Sequence, residues 1–359
     1  MKVGEIETKD ISIVVQGPII RNFEYYSNGW TNECLKRLRQ HFPGAEIILS
    51  TWKGSDVSGL DYDILVENDD PGALVTWEAP WGSVYYNLNR QICSTKAGLQ
   101  RATRKYAMKT RTDTIFNSNH LLTYFYKYPN RSQELKIFKE RVIALFSKHP
   151  HRTKRPFFIS DFLHFGLRED IMLLWDIPLV PEPETSQWFA SRPKPVTPIG
   201  VDHPWRFRFM PEQYIGLCLV NRSAHIELLH THDYTKEKGT LTDLLLANNF
   251  VLIAQNGDTD IEGIEKLKFP GDKVSGKIQE GKKEDIPKIR ILLNNLSTHC
   301  LHGYCHRRWL MMYNKYCVKK RIFPHIWHDV LLVGLSFLYH YSKAFYKSIR
   351  NRVKKRQWT

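Results

Sequence analysis

The sequence predicts an α/β fold in which a mostly parallel sheet is covered by helices. Short apolar strand patterns alternate with helical patterns through the first 160 residues, and this alternation is typical of βαβ units. Polar or proline-containing turns follow the strands, and ligands bind at that edge of a parallel sheet. A hydrophobic content of 42% over 359 residues supports a sizeable core, so disorder or a coiled coil is excluded as a description of the whole chain.

The apolar run at 11–15 predicts the first strand, which ends at Gln16-Gly17-Pro18. Further strands are predicted at 46–49, 63–66, 106–109 and 157–159. Helices are predicted at 31–42, 85–103 and 133–148. Pro211 followed by Glu212 favours the start of another helix. The proline-rich segment 176–206 is predicted to be an ordered loop that faces a ligand, because it contains Trp188, Phe189 and Trp205.

Positive charge is concentrated at the C-terminal end. Residues 286–359 carry 15 Lys and Arg against one acidic residue, whereas residues 1–285 carry 37 against 36. We therefore divide the chain into a body at 1–260, a linker at 261–285 and a basic helical region at 286–359. The basic region predicts a polyanionic partner.

An amphipathic pattern at 322–341 precedes the most basic stretch of this region. It predicts a helix that lies on an anionic membrane surface, with a packed C-terminal helix as the alternative. Histidines and Asp329 interrupt the apolar run, which disfavours a spanning helix. Nucleic acid is disfavoured as the partner because no zinc-finger, helix-turn-helix or RNP-like pattern accompanies the charge. Six sparse cysteines and a polar N-terminus predict a reducing, cytoplasmic location.

Three common nucleotide or hydrolase motifs are missing from the sequence. It has no GxGxxG, no GxxxxGK[ST] and no GxSxG. The sequence therefore disfavours a dinucleotide oxidoreductase, a P-loop kinase and an α/β-hydrolase.

Candidate site residues follow the predicted strands. Lys109, Arg111 and Asp113 place two cations and one carboxylate after the strand at 106–109. A diphosphate leaving group needs positive charge as its bond breaks, from a metal held by a carboxylate or directly from Lys and Arg, and both options stay open. A surface ion pair is the alternative interpretation of these residues.

Three further candidates lie in or after other elements. Arg90 in a predicted helix is suited to binding a phosphate or a carboxylate, although a solvated helix face is the commoner role for such an arginine. Asp161 and Glu212 are candidates for the general base that takes a proton from an attacking hydroxyl. A first-turn acid stabilised by the helix dipole is the alternative for Glu212.

Several segments together resemble the WavE lipopolysaccharide-synthesis family, which looks like a glycosyltransferase family with a GT-A-type domain. The matching segments are ISIVVQGPI (11–19), FPGAEIILSTW (42–52), ENDDPGA (67–73), NRQICSTKAGL (89–99), YAMKTRTD (106–113), FFISDFLHFGLREDIMLLWDIP (157–178) and MPEQYIG (210–216). The resemblance covers roughly the first 220 residues and does not extend over the C-terminal 75 or so.

The resemblance implies transfer of a sugar from a nucleotide-sugar donor to a lipid-linked bacterial surface glycan. It implies donor binding by Gln16, Gly17, Pro18, Thr51, Asp70, Arg90, Lys109 and Arg111. The segment YAMKTRTD takes the place of the GT-A metal motif, with Arg111 where the first Asp would stand, so Asp113 alone is left to hold Mn²⁺ or Mg²⁺. The implied location is the inner face of the bacterial inner membrane.

Three rival functions remain at this point. They are a metal-independent, sialyltransferase-like enzyme, a non-catalytic assembly protein of the same pathway, and a nucleic-acid-binding protein, which the missing recognition motifs disfavour.

Overall fold

The computed structural model describes residues 6–21, 29–79, 82–145, 154–193, 206–253, 264–266 and 309–318. The longer strands are β1 (Ile11–Gln16), β2 (Glu46–Trp52), β3 (Ile64–Asn68), β6 (Tyr106–Arg111), β8 (Val142–Leu145), β9 (His164–Leu167) and β10 (Phe250–Ile253). Shorter strands pair outside the main sheet: β4 (Leu74–Ala79) with β5 (Gly82–Tyr86), and β7 (Thr114–Phe116) with β11 (Ile264–Lys266). The helices are α1 (Trp30–His41), α2 (Leu88–Arg101), α3 (Arg168–Trp175), α4 (Pro211–Val220) and α5 (Lys236–Asn249).

The predicted α/β class is confirmed by a seven-stranded, mostly parallel sheet. The strand order is β10-β8-β9-β6-β1-β2-β3. Strands β1, β2, β3 and β6 run parallel, and β10 runs parallel to β8. Only β9 runs antiparallel to its neighbours in this sheet. The chain moves outward from β1 to β3 and then returns to the other side of β1, so the strand order reverses between β1 and β6.

Helix α2 packs directly on the sheet beside this reversal. It contacts β1, β2 and β3, while α3 packs on β6, β9 and α2. Gly98 permits the close approach, since a Cβ atom at this position would lie 2.4 Å from Cγ1 of Val14 in β1. The α2 residues that face the edge of the sheet are thereby fixed relative to the strand ends.

Two predicted elements are wrong. In the range predicted as a helix at 133–148, the described residues 133–145 do not form one, and β8 occupies part of that range. Side chains satisfy the main chain there instead: Asn249 accepts from the amides of residues 137 and 138, and Asp170 accepts from those of residues 139 and 140. These tertiary contacts replace the carbonyl partners that a helix would supply.

The apolar run at 157–159 is a buried loop, and the strand lies later, at β9. Phe157 has a positive φ of 57°, which no strand residue adopts. The amide of Ile159 donates to the carbonyl oxygen of Glu212 at 3.1 Å, so this run pairs with the start of α4.

The segment 309–318 packs on the body. Trp309 is fully buried, and its indole nitrogen donates to the carbonyl oxygen of Leu246 at 3.3 Å. Arg141 donates to the carbonyl oxygens of Asn130 and Ala247 and lies against the ring of Tyr313. Together these contacts attach the segment to α5 and to Arg141.

The predicted amphipathic pattern at 322–341 and the basic residues that follow it lie outside the described residues, as does most of the predicted linker at 261–285. In the part of the chain that the structure describes, no helix is both long and apolar enough to cross a membrane.

Candidate functional site

Predicted site residues converge at the carboxyl ends of β1, β2 and β6. Gln16 at the end of β1 is in register with Ser50 of β2 on one side and with Arg111 of β6 on the other. This is the point where the strand order reverses, and ligands bind there in open α/β sheets because the adjoining loops separate. Gln16 and Arg111, both predicted to lie at strand ends, are therefore side by side in the sheet.

The loops after β1 and β6 are joined directly. Gly17 has a φ of +130°, and its amide donates to the carbonyl oxygen of Ser50 at 3.1 Å. A Cβ atom at Gly17 would lie 2.8 Å from Oγ1 of Thr112, which donates to the carbonyl oxygen of Pro18 at 2.8 Å. Only glycine suits both this conformation and this contact. Gln16-Gly17-Pro18 is thus held against the β6 loop.

One face of α2 links the candidates on three different segments. Arg90 donates to both carboxylate oxygens of Asp70, at 2.7 and 2.5 Å. Gln91 Nε2 donates to Asp161 Oδ2 at 2.7 Å. Ser94 Oγ lies 2.8 Å from Gln16 Oε1, to which it donates. These three α2 residues lie on adjoining parts of the helix surface, since 90 and 94 are one turn apart.

Arg111 and Asp113 form a bidentate ion pair at the end of β6. Nε and Nη2 of Arg111 donate to the two oxygens of Asp113 at 2.8 and 2.5 Å. The guanidinium carbon lies 4.7 Å from the ring centre of Phe162. The two side chains are only 15% and 11% exposed, so the pair is far from an ordinary surface ion pair.

This arrangement does not suit a divalent metal at Asp113. Both carboxylate oxygens already accept from Arg111, and Mg²⁺ and Mn²⁺ require oxygen ligands. Among the described residues, no group of three or more His, Cys, Asp and Glu side chains is placed to hold an ion. A metal at Asp113 would have to compete with the guanidinium, so the metal prediction finds no support in the donor set.

Lys109 lies beneath the site and is fully buried. Its ammonium group donates to the main-chain carbonyl oxygen of Asp161 and lies 4.7 Å from the ring centre of Trp175. Burial lowers the pKa of Lys109 to about 7, although the charges of Asp161 and Asp113 oppose this shift. In this position Lys109 fixes the backbone that carries Asp161.

Asp161 and Glu212 approach each other through their main chains. Asp161 is buried, and Ile159, two residues before it, donates its amide to the carbonyl oxygen of Glu212 in the first turn of α4.

Thr51, at the end of β2, is also fully buried, and its hydroxyl lies 3.3 Å from that of Ser55.

Two functional candidates that the sequence did not reveal lie beside Glu212. Tyr86 ends β5 and Glu182 lies in the following proline-rich loop. The Tyr86 hydroxyl and Glu182 Oε1 are buried, and neither has a hydrogen-bond partner in the structure. Burial raises the pKa of Tyr86 well above its usual range, and the charges of Glu182 and Glu212 reinforce the shift. Buried polar atoms without partners are rare, and a polar ligand with several hydroxyl groups would satisfy them.

Gln91 was the other residue that sequence reasoning missed. Its Oε1 is buried without a hydrogen-bond partner, and its amide nitrogen already holds Asp161. A signal for Gln91 was present, because it adjoins Arg90 in a helix that begins near the strand ends. Tyr86 and Glu182 gave no such signal, since they meet only through tertiary contacts.

The fold and this edge of polar side chains define an α/β, Rossmann-like protein with a site at the strand-order reversal. The model of the WavE lipopolysaccharide synthesis family matches residues 11–332, so the chain belongs to this family and takes part in lipopolysaccharide synthesis. The match extends well beyond the first 220 residues, which corrects the expectation that it stops before the C-terminal 75. No curated protein matches the chain.

Proposed function

We propose that the protein is a glycosyltransferase that moves a sugar from a nucleotide-sugar donor to a lipid-linked lipopolysaccharide core or a related surface glycan. Family membership supports the pathway. The observation that carries the reaction is the convergence of Gln16, Arg111 and Asp161 at one edge of the sheet. This edge brings together a cation for a departing diphosphate and a carboxylate for an attacking hydroxyl.

On the donor side, Arg111 stabilises the nucleoside diphosphate as its bond to the sugar breaks. The two hydrogen bonds from Arg111 to Asp113, together with Phe162, orient the guanidinium before the donor binds. Charge that is fixed in advance stabilises the transition state without the cost of reorganisation. Gln16, Gly17 and Pro18 line one side of the proposed nucleotide site, and the Asp70–Arg90 pair lies at the outer side of that site.

On the acceptor side, Asp161 accepts the proton of the acceptor hydroxyl. The hydroxyl oxygen then forms a bond to the anomeric carbon while the bond from that carbon to the diphosphate oxygen breaks. Gln91 and Lys109 hold the carboxylate and the main chain of Asp161, which keeps the base in position. Glu212 is the alternative base, and the hydroxyl groups of the sugar bind the free polar atoms of Tyr86 and Glu182.

The test of donor binding is a thermal-stability screen with UDP-, GDP- and CMP-sugars, each with manganese and with EDTA. A ligand at a hundredfold excess over its Kd adds about 2.7 kcal/mol to stability. We expect one nucleotide class to stabilise the wild-type protein and Arg111→Gln to abolish that shift. The exposed pair Arg101→Gln and Lys136→Gln serves as the charge control.

The outcomes separate the rival functions. Transfer that persists in EDTA with a CMP-sugar favours the metal-independent, sialyltransferase-like enzyme, whereas a strict need for manganese restores Asp113 as a metal ligand. Absence of any nucleotide-dependent shift favours the non-catalytic assembly protein and removes the enzyme proposal.

We further propose that the protein works at the cytoplasmic face of the inner membrane. The basic residues beyond 318 would attract anionic lipid, with each residue near the surface contributing about 1 kcal/mol. Deletion of residues 322–359 should move the protein from the membrane fraction to the supernatant, and high salt should have the same effect. An unchanged distribution under both treatments rejects this part of the proposal.

A further inference from the structure

Two arginine side chains contact the same indole ring beside the candidate site. The guanidinium carbons of Arg192 and Arg208 lie 3.9 and 4.3 Å from the ring centre of Trp188. At these distances the interactions are cation–π contacts, which restrict the orientation of both guanidinium groups. We refer to Trp188, Arg192 and Arg208 as the arginine clamp.

The main chain around the clamp is ordered by hydrogen bonds. Phe189 donates its amide to the carbonyl oxygen of Arg206 at 2.8 Å, and Arg208 donates its amide to that of Thr185 at 2.7 Å. Thr231 donates its amide to the carbonyl oxygen of Arg208 at 2.8 Å. Three separate segments therefore hold the clamp in place.

The clamp carries positive charge without a counterion from the described chain. Arg192 donates to the carbonyl oxygen of Trp188, and Arg208 donates to those of Leu228 and Leu229. Neither forms an ion pair with a described carboxylate, whereas Arg90 and Arg111 each hold an aspartate. Two like charges on one ring repel each other, and a bound dianion would remove that repulsion.

The ligand that fits this surface is a phosphoryl group. Most of the N–H donors of the two guanidinium groups are not used by the protein, and arginine binds phosphate through pairs of such donors. A carboxylate would neutralise one of the two cations, whereas a phosphate monoester carries close to two negative charges at neutral pH.

The position of the clamp indicates which part of a substrate it would reach. Phe207 is buried, with its ring centre 5.4 Å from that of Tyr86, while Arg206 on one side is exposed and Arg208 on the other is partly exposed. Arg208 thus follows directly after the residue that packs on Tyr86, and on this basis we assign the clamp to the Tyr86 and Glu182 side of the site.

We infer that the arginine clamp binds a phosphoryl group carried by the glycan acceptor. This inference rests on the proposed function, because only a glycosyltransferase of this pathway would hold a phosphorylated glycan beside Tyr86. The donor diphosphate is the other possible source of a phosphoryl group, and the experiment separates the two.

The experiment measures binding of glucose 6-phosphate, glucose, inorganic phosphate and UDP by calorimetry at low ionic strength. The double variant Arg192→Gln/Arg208→Gln should bind glucose 6-phosphate at least tenfold more weakly than the wild type. The control double variant Arg101→Gln/Lys136→Gln loses the same charge at exposed positions and should bind normally. Arg192→Lys/Arg208→Lys should be intermediate, since lysine keeps the charge but not the planar donor pair.

Three outcomes overturn the inference. They are unchanged binding of glucose 6-phosphate in the glutamine variant, inorganic phosphate that binds as tightly as glucose 6-phosphate, and a loss of UDP binding as large as the loss of glucose 6-phosphate binding. The single variant Arg192→Gln keeps the hydrogen bonds that Arg208 donates to Leu228 and Leu229. Weaker binding of glucose 6-phosphate in this variant would therefore not be due to the loss of those structural contacts. If the wild type binds no nucleotide but the clamp variants still lose glucose 6-phosphate, the proposed function fails and the phosphate site stands.

Discussion

The buried amine of Lys109 makes the stability of the protein depend on pH in a predictable way. Its pKa falls from 10.5 in the unfolded chain to about 7 in the folded chain. Between these values the unfolded chain binds more protons, so the free energy of unfolding rises with pH. This contribution is complete above pH 10.5 and is lost as the pH falls toward 7.

The variant Lys109→Met keeps a similar volume and removes the titration. Between pH 7.5 and 9.5 the shift in Lys109 should raise the stability of the wild type by about 2.5 kcal/mol, and the variant should lack this gain. Urea unfolding followed by circular dichroism at both pH values measures the difference. Other titrating groups cancel because both proteins contain them.

Lys136→Met is the matched control, since Lys136 is exposed. It should reproduce the pH dependence of the wild type. If Lys109→Met also reproduces it within about 0.5 kcal/mol, then Lys109 keeps its charge in the folded protein, and burial does not lower its pKa as described.

Three further predictions follow from single contacts. Gly216→Ala should cost about 3 kcal/mol of stability because its Cβ would lie 1.8 Å from the carbonyl oxygen of Phe157. Gly98→Ala should cost less because its Cβ would meet only the side chains of Val14 and Ser50, and equal costs in urea unfolding would contradict this ranking. Asp161→Asn should lower transfer about a hundredfold without changing the donor-induced thermal shift, and undiminished transfer would assign the base to Glu212. Hydrogen bonds from Arg90 lower the pKa of Asp70, so the stability lost in Asp70→Asn should be present at pH 6 and should decline as the pH falls below 3.8 through the folded pKa. Because both side chains are about one-third exposed, the loss should stay below about 1 kcal/mol, and a loss that does not decline below pH 3.8 would point to packing.

The strands that carry the site could be predicted because their apolar runs are buried on both faces. The predicted runs at 11–15, 46–49 and 106–109 became β1, β2 and β6, which extend them by one, three and two residues at the C-terminal end. These added residues include Gln16 and Arg111. Polar residues at the ends of parallel strands meet because the sheet aligns them, so the core of the site followed from local pattern.

Contacts between distant segments decided the parts that were not predicted. The helix predicted at 133–148 failed because Asn249 and Asp170 bind the amides that a helix would have used. The pairing of β4 with β5 was missed because the prediction began the following helix at residue 85. Tyr86 and Glu182 are separated by almost a hundred residues in the sequence, and no local pattern indicates that they lie close together in the fold.

Family membership fixed the pathway but not the chemistry of the individual residues. Asp113 was expected to hold a metal ion, yet its partner in the structure is Arg111. The two residues are separated by one position, so the sequence alone could not distinguish a metal ligand from an ion pair.

The hydrogen bond from Trp309 to Leu246 also has a consequence for the length of chain that can precede Trp309. Residues 267–308 follow β11, which pairs with β7, and the chain returns to α5 at Trp309, so both ends of this stretch are attached to the described body. Doubling the length of a closed loop costs only about 0.6 kcal/mol in entropy. Insertions or deletions there should therefore be tolerated, and a protease cut within it should leave two pieces that remain associated.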